Sequence, residues 1–429
     1  MPPPTTDRFT GRQLGIVALI AAVQFVNILD FVMVMPLGPD FAKSLGFSEA
    51  HIGYVGGSYT AAACVAGLIG SLFLDRFDRR KALFVAMLGL VAGTALGGLA
   101  TGLETLIAAR VLAGAFGGPA TALSIAIVSD AVPATLRGRA LGMVMGAFSI
   151  ASVLGVPMGL FIAEQFSWRA PFFATALLGA GVTLGAVAAL PPMRGHLDNK
   201  VQHPVSTVAL VTRPIVFITY VMTAITMMAG FVLIPNISGY LQLNLEYPRT
   251  ELKYLYLFGG VASFFSMQLA GWLVDRYGSF KTSLVGSVVV GATMWAGFVT
   301  YPALISPIAI FIAFMTGMSL RNVSYSTLNT KVPEPEVRAR YQSLSSAVQH
   351  GASALAAIVS AQLLTRVPRL DPRPGQSEFV LAGMPRVAML AMFFTALVPV
   401  LLWWIEGQVR RRAVLAPADP AIVQKAAVR

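Results

Sequence analysis

The chain has 429 residues, of which 56% are hydrophobic and only 12% charged, with a net charge of +12. Soluble domains carry about 25% charged residues, so an ordinary water-soluble protein is excluded and lipid is the expected solvent for most of the chain. Lys and Arg recur in the short gaps between apolar runs rather than on one patch or tail, so no nucleic-acid partner is expected. The one cysteine, Cys64, excludes an internal disulfide and a multi-cysteine metal site.

The amino-terminal MPPPTTDRFTGRQ is polar and lacks a cleavage site, so the first apolar run reads as a retained span. A membrane helix needs about 20 mostly apolar residues, and about twelve runs meet that measure. They lie at 14–38, 51–74, 82–101, 104–130, 140–163, 170–190, 214–242, 252–274, 282–301, 304–329, 341–365 and 384–406. The gap 191–213 is polar and broken by proline. It divides the chain into an expected first bundle (1–190), a cytoplasmic linker (191–213), a second bundle (214–406) and a cytoplasmic tail (407–429). With both termini in the cytoplasm, about 21 Lys and Arg fall on the inner side against about 8 outside, as the positive-inside rule favours. Arg410, Arg411 and Arg412 read as an anchor to anionic lipid, and the proline-rich outer loop 366–383 is expected to be mobile.

An ionisable group inside a span costs about 2.5–3.5 kcal/mol on insertion scales and is a functional candidate. In the first run Gln24, Asn27 and Asp30 recur every third residue and share one broad helix face. Pro36 removes a helical hydrogen bond just beyond. In the fourth run Arg110, Gly114, Gly117, Thr121 and Ser124 line one face. At 1.5 Å per residue, Asp30 lies about 12 Å and Arg110 about 9 Å from the outer ends of their runs. The two charges are expected to communicate. Burial favours the neutral acid, whereas a nearby guanidinium favours the carboxylate. A change of hydration or distance between two conformations would then drive proton uptake and release. The alternative is a static Asp30–Arg110 pair that only holds two helices. Arg321 is a second embedded cation, either facing an anionic substrate group or pairing structurally with a helix end. Gln349, beside His350, lies on a polar face of the eleventh run, and Phe31, Tyr59, Tyr220, Phe231 and Tyr325 could line an apolar pocket or simply pack.

The sequence also repeats itself. SLFLDRFDRRK at Ser71–Lys81 returns as GWLVDRYGSFK at Gly271–Lys281, an offset of 200 between the aspartates (275 − 75). VPATLRGRA at 132–140 returns as VPEPEVRARY at 332–341. Duplicated halves are a frequent transporter design with the substrate site between them.

These features resemble the major facilitator superfamily, whose loop pattern is close to G-x-L-x-D-R-x-G-R-R. The second copy follows it to Gly278. The first keeps Asp75, Arg76, Arg79 and Arg80, with Asp78 in place of the second glycine. Arg110-Val-Leu-Ala-Gly114 looks like the family's R-x-x-x-G motif. Gly155-Val-Pro157-Met-Gly159 and Ser167-Trp168-Arg169 resemble its drug:proton antiporter branch. The resemblance implies an all-α membrane protein of twelve transmembrane helices in two pseudo-symmetric six-helix bundles. It also implies a cytoplasmic latch of Asp75, Arg76, Arg79 and Asp130, echoed by Asp275 and Arg276, although Thr330 and Lys331 stand where the second half would match Asp130.

The expected function is proton-coupled export of small amphiphilic molecules or drugs by a monomer in the inner membrane. The partners are the substrate, protons and the lipid bilayer. The alternatives are an exporter or importer of a metabolite (sugar, nucleoside or lipid-like amphiphile), or a non-transporting sensor. His51, His196, His203 and His350 are scattered and no nucleotide-binding loop appears, so neither an enzyme nor a cofactor or metal is expected.

Overall fold

The computed structural model describes residues 9–133, 136–194, 207–301, 305–334, 337–370 and 377–415, with the backbone alone at 71–73, 75, 138, 149, 207, 208, 338, 339 and 413–415. Helix α1 (Gly11–Val32) opens on a capping box, in which Thr10 Oγ1 accepts from Gln13 N and Gln13 Oε1 from Thr10 N. A short helix, α2 (Gly38–Leu45), follows the Pro36 break. Then come α3 (Ile52–Phe73), α4 (Arg79–Gly98) and α5 (Leu103–Ala131). The next stretch is interrupted: α6 (Arg137–Met145), α7 (Ala147–Ile150), a π turn over Ala151–Gly155, and α8 (Val156–Gln165). Pro157 has no N–H to donate back to the preceding turn, and the ladder widens just before it. Helix α9 (Ala170–Ala189) precedes the short α10 (Thr207–Val211).

The remaining helices are α11 (Pro214–Phe231), α12 (Ile237–Leu243), α13 (Leu252–Tyr277), α14 (Ser279–Phe298), α15 (Pro307–Lys331), α16 (Arg338–Leu363) and α17 (Met384–Leu415). Proline in the first turn of α9, α11 and α15 sits where its missing N–H has no partner to lose. Between α16 and α17, strands β1 (Thr365–Pro368) and β2 (Phe379–Ala382) pair antiparallel, with Arg366 opposite Leu381. The protein is therefore predominantly rather than entirely α-helical. The loop expected to be mobile is a β-ribbon on both sides of 371–376, which lie outside the described residues.

Nine helices among the described residues are long and apolar enough to cross a membrane. Three of the twelve expected runs fall short of that measure, each for a local reason. The fifth expected span is broken by the π turn. The ninth, α14, carries Ser279, Lys281, Thr282, Ser283 and Ser287, and the eleventh, α16, carries Arg340, Gln342, Ser345, Gln349 and His350.

Helix α5 packs between α3 and α4, α4 also packs on α9, and α1 lies against α5 and α9. Likewise α15 packs between α13 and α14, α14 on α17, and α11 on α16 and α17. The two groups meet where α3 runs along α16 and where α13 crosses α8 and the π turn. Small residues allow the first approach: Gly53 and Gly57 face Ala354 and Ala357. At the end assigned above to the outside, ion pairs cross between the groups. Arg249 Nε donates to both Asp40 oxygens (2.7 and 2.8 Å), Lys253 meets Glu164 at 2.7 Å, and Arg366 stands 3.3 Å from Glu49.

Candidate functional site

Helix α1 carries Asp30 into a position with no solvent exposure, and α5 brings Arg110 to it, itself 1% exposed. Arg110 grips the carboxylate with both terminal nitrogens: Nη1 donates to Oδ1 at 3.0 Å and Nη2 to Oδ2. This bidentate, charge-assisted geometry lets two buried charges coexist in a low-dielectric interior. A third group, absent from the sequence-derived set, is Thr94 of α4. Its hydroxyl lies 2.7 Å from Asp30 Oδ1 and 2.8 Å from Leu90 O. One hydroxyl proton can serve only one acceptor at a time. Thr94 can thus donate to an ionised Asp30. It can equally turn to Leu90 O and accept from a protonated Asp30.

Thr94→Val is accordingly expected to slow proton-driven transport roughly tenfold, the value of one hydrogen bond to a charged group, about 1.5 kcal/mol. Thr94→Ser should retain most of the rate, both measured as pH-gradient-driven uptake into membrane vesicles.

Asn27 and Tyr59 form a polar shelf beside the ion pair. Tyr59 OH donates to Asn27 Oδ1 at 2.6 Å, and Asn27 Nδ2 donates to Gly117 O (2.9 Å) and Thr121 Oγ1 (2.7 Å). Glycine is required at 117, because a Cβ there would stand 2.8 Å from Asn27 Oδ1 and against the Tyr59 hydroxyl. The Tyr59 ring lies 4.9 Å from Arg110 Cζ and 5.2 Å from the Phe31 ring. Phe31 in turn lies 5.8 Å from Phe231 of α11, so the residue next to Asp30 touches the other helix group. Gln24 is buried on the same face of α1, one turn inward, and its Oε1 has no partner among the described residues. The glycine-proline motif packs behind α1: a Cβ on Gly155 would stand 2.6 Å from Leu29 and one on Gly159 3.8 Å from Met33. Pro157 begins α8 beyond the π turn.

Arg321 and Gln349 are not drawn into this cluster. Arg321 is fully buried on α15, where Nη1 donates to Thr395 Oγ1 of α17 (3.2 Å) and Nη2 to Met318 Sδ (3.0 Å). It faces α17 rather than α1, and its Nε makes no hydrogen bond among the described residues. Gln349 is half-buried on α16.

At the opposite end, assigned above to the cytoplasmic side, Arg79 Nε donates to Asp130 Oδ2 at 2.5 Å, Arg76 is exposed, and the side chain of Asp75 lies outside the described residues. Asp78, the departure from the glycine of the loop pattern, caps α4 by accepting from Arg80 N (2.9 Å). It also accepts from Met193 N (3.3 Å) and Arg194 Nε (3.3 Å) beyond α9. Burial acts to raise this carboxyl, but the N–H groups of Met193 and Arg80 with the Arg194 side chain outweigh it and hold it below the ordinary carboxylate range. A depressed folded-state value means the stabilisation is present above the unfolded-chain value and is lost as pH falls through the folded one. The unfolding temperature of the wild type should therefore exceed that of Asp78→Ala by its full margin near neutral pH. That margin should shrink below about pH 4.

The second loop is built differently, which corrects the expectation for Asp275 and Arg276. Asp275 is exposed, and Arg276 stacks 5.6 Å over Trp272 and 5.7 Å over Tyr277. Gly278, at φ +90°, has no side chain to cap α14, so Glu406 of α17 does it, accepting from Phe280 N (2.7 Å) and Arg410 Nη2 (2.6 Å).

The profile of the Major Facilitator Superfamily matches residues 20–357. The purine ribonucleoside efflux pump NepI of Escherichia coli (strain K12) is 28% identical over 278 residues, covering 62% of this chain and 68% of that protein. Its counterpart in Shigella sonnei (strain Ss046) matches to the same extent. Among solved structures, the xylose transporter XylE from E. coli in a partially occluded inward open conformation superposes with a TM-score of 0.70 at 14% identity, covering 92% of this chain and 98% of that one. An inward-facing, occupied bacterial homolog of the human lysosomal transporter Spinster gives 0.69 at 14% identity, covering 93% and 98%. With the profile spanning most of its length, the chain belongs to the Major Facilitator Superfamily of multi-pass membrane transporters.

Proposed function

We propose that the protein is a proton-coupled exporter of a small organic solute of the nucleoside type, working as a monomer by alternating access. The observation that carries this is the fully buried Asp30, held by Arg110 and Thr94 and followed directly by Phe31, which touches Phe231 across the helix groups. A carboxyl so placed can sense which groups are closed upon each other. Asp30 bonded to Arg110 is the ionised form, the form that has released its proton. The cross-group ion pairs at Asp40, Glu164 and Glu49 close the outer end in this state. Opening that end would part Phe31 from Phe231, admit water to Asp30 and allow protonation. Return to the present state would deliver the proton inward as the next substrate binds.

The repeat and the packing of α1–α9 and α11–α17 support twelve passes in two halves, 1–190 and 214–406, joined by the linker 191–213. Both termini and the tail 407–429 then lie on the cytoplasmic side of the inner membrane. Arg79 with Asp130 supports a latch at the inner end in the first half. Among substrates, the nucleoside reading is preferred to drugs because of the NepI relatives. The polar shelf of Asn27, Tyr59 and Thr121 also offers hydrogen bonds rather than a free charge. The test is uptake into everted vesicles under an imposed pH gradient across a panel of purine ribonucleosides, sugars and cationic drugs. Gradient-dependent uptake of a nucleoside supports the reading, whereas uptake of drugs alone would overturn it.

A further inference from the structure

A cavity of about 500 Å³ lies at the outer end, far from Asp30, between the α2 segment and the α12–α13 connection. Its volume is within the range of small-molecule sites, about 300–1,000 Å³. One wall belongs to the first helix group, with Asp40, Lys43 and Glu49. The other belongs to the second, with Gln242, Arg249 and Arg366. Three buried polar atoms of this lining make no hydrogen bond among the described residues: Gln242 Nε2, Arg249 Nη1, and Glu49 Oε2, whose one contact is the ion pair with Arg366. Glu49 is only 5% exposed. Arg366 stands 3.3 Å from Glu49 Oε2 without making a hydrogen bond, its Cζ 4.1 Å from the centre of the Phe379 ring. Asp40 is spent on Arg249 Nε and Nη2, which leaves Nη1 of that guanidinium free.

The open valences have a definite pattern. Gln242 Nε2 and Arg249 Nη1 need an acceptor, with the ammonium of Lys43 exposed at the same cavity, while Glu49 Oε2 needs a donor. A simple anion would leave Glu49 unmet, and a simple cation would leave the two donors unmet. A molecule bearing both a carboxylate and an ammonium meets all three.

We propose that this cavity binds a small zwitterion of amino-acid size, its carboxylate on Gln242 and Arg249 and its ammonium on Glu49, and that the bound solute holds the outer end shut. The second part follows from the walls. They come from opposite helix groups, so opening the outer end takes the site apart. A ligand that binds only one state shifts the equilibrium toward it. The binding part stands apart from the transport reading, whereas the effect on flux rests on it.

The test uses the full chain in lipid nanodiscs at about pH 7, titrated calorimetrically with glycine, L-serine and L-glutamine, and with acetate and methylammonium as single-charge probes. At least one zwitterion is expected to bind saturably while acetate and methylammonium do not. Gln242→Leu and Glu49→Gln should each weaken it at least about tenfold. Enclosed in the lumen of the everted vesicles, where the outer end faces, the same zwitterion should slow nucleoside flux by the wild type. It should not slow flux by Gln242→Leu, whose flux without zwitterion should match the wild type. Failure of all three zwitterions to bind the wild type would overturn the proposal, as would equal binding of acetate or methylammonium, or unchanged binding in both variants. Binding without any effect on flux would overturn the closure. A vesicle system that moves no nucleoside at all would count against the transport reading and leave the binding result intact.

Discussion

Asp30→Asn is expected to reduce proton-driven accumulation in vesicles by on the order of 100-fold or more, with the protein still inserted in the membrane. Asparagine keeps the size of the side chain and an acceptor for Thr94, but it cannot exchange a proton. The variant should therefore retain solute exchange down a concentration gradient while losing its response to pH. Uphill transport at the wild-type rate would show that Asp30 and Arg110 form only a structural pair.

The second large effect is on stability. Arg110→Gln removes one partner of an ion pair whose side chains are 1% and 0% exposed. It leaves a buried carboxylate with Thr94 as its remaining donor. Breaking a buried pair in this way costs about 3–5 kcal/mol, whereas removing both charges is often close to neutral. The unfolding temperature of Arg110→Gln should therefore fall steeply. The double variant Asp30→Asn/Arg110→Gln should recover much of the loss, although it transports no better than Asp30→Asn. A double variant no more stable than Arg110→Gln would mean that the pair does not carry the energetics assigned to it.

The residues that sequence reading reached, and those it missed, divide on physical grounds. Asp30 and Arg110 were legible because a charge in an apolar run is rare and its depth can be counted along a helix of known rise. The pairing partner of each then followed from equal depth. Thr94 was not legible, since a single hydroxyl in an apolar run carries no such signal and its partner lies 64 residues away. The shelf of Asn27 was half legible: its face on α1 could be read from spacing, but the Tyr59 hydroxyl comes from another helix.

Arg321 shows the converse. The charge was plain, but the direction of its side chain depends on the packing of α15 against α17, which periodicity does not reveal. The second loop repeats the first in sequence yet not in chemistry. Replacing Asp78 by Gly278 moves the helix-capping carboxylate to Glu406, more than a hundred residues on. The β-ribbon after α16 escaped because prolines dominate that segment while only four residues on each side pair. The interruption before Pro157 was readable as a proline but not as a π turn.

The central claim is that one buried carboxyl exchanges its proton for substrate, and proton release on substrate binding tests it most directly. Purified protein in a weakly buffered solution, near neutral pH, would be mixed with a purine ribonucleoside while a pH indicator is followed. A saturable release of protons is expected from the wild type and none from Asp30→Asn. Nucleoside binding with no proton release, or equal release from Asp30→Asn, would contradict it.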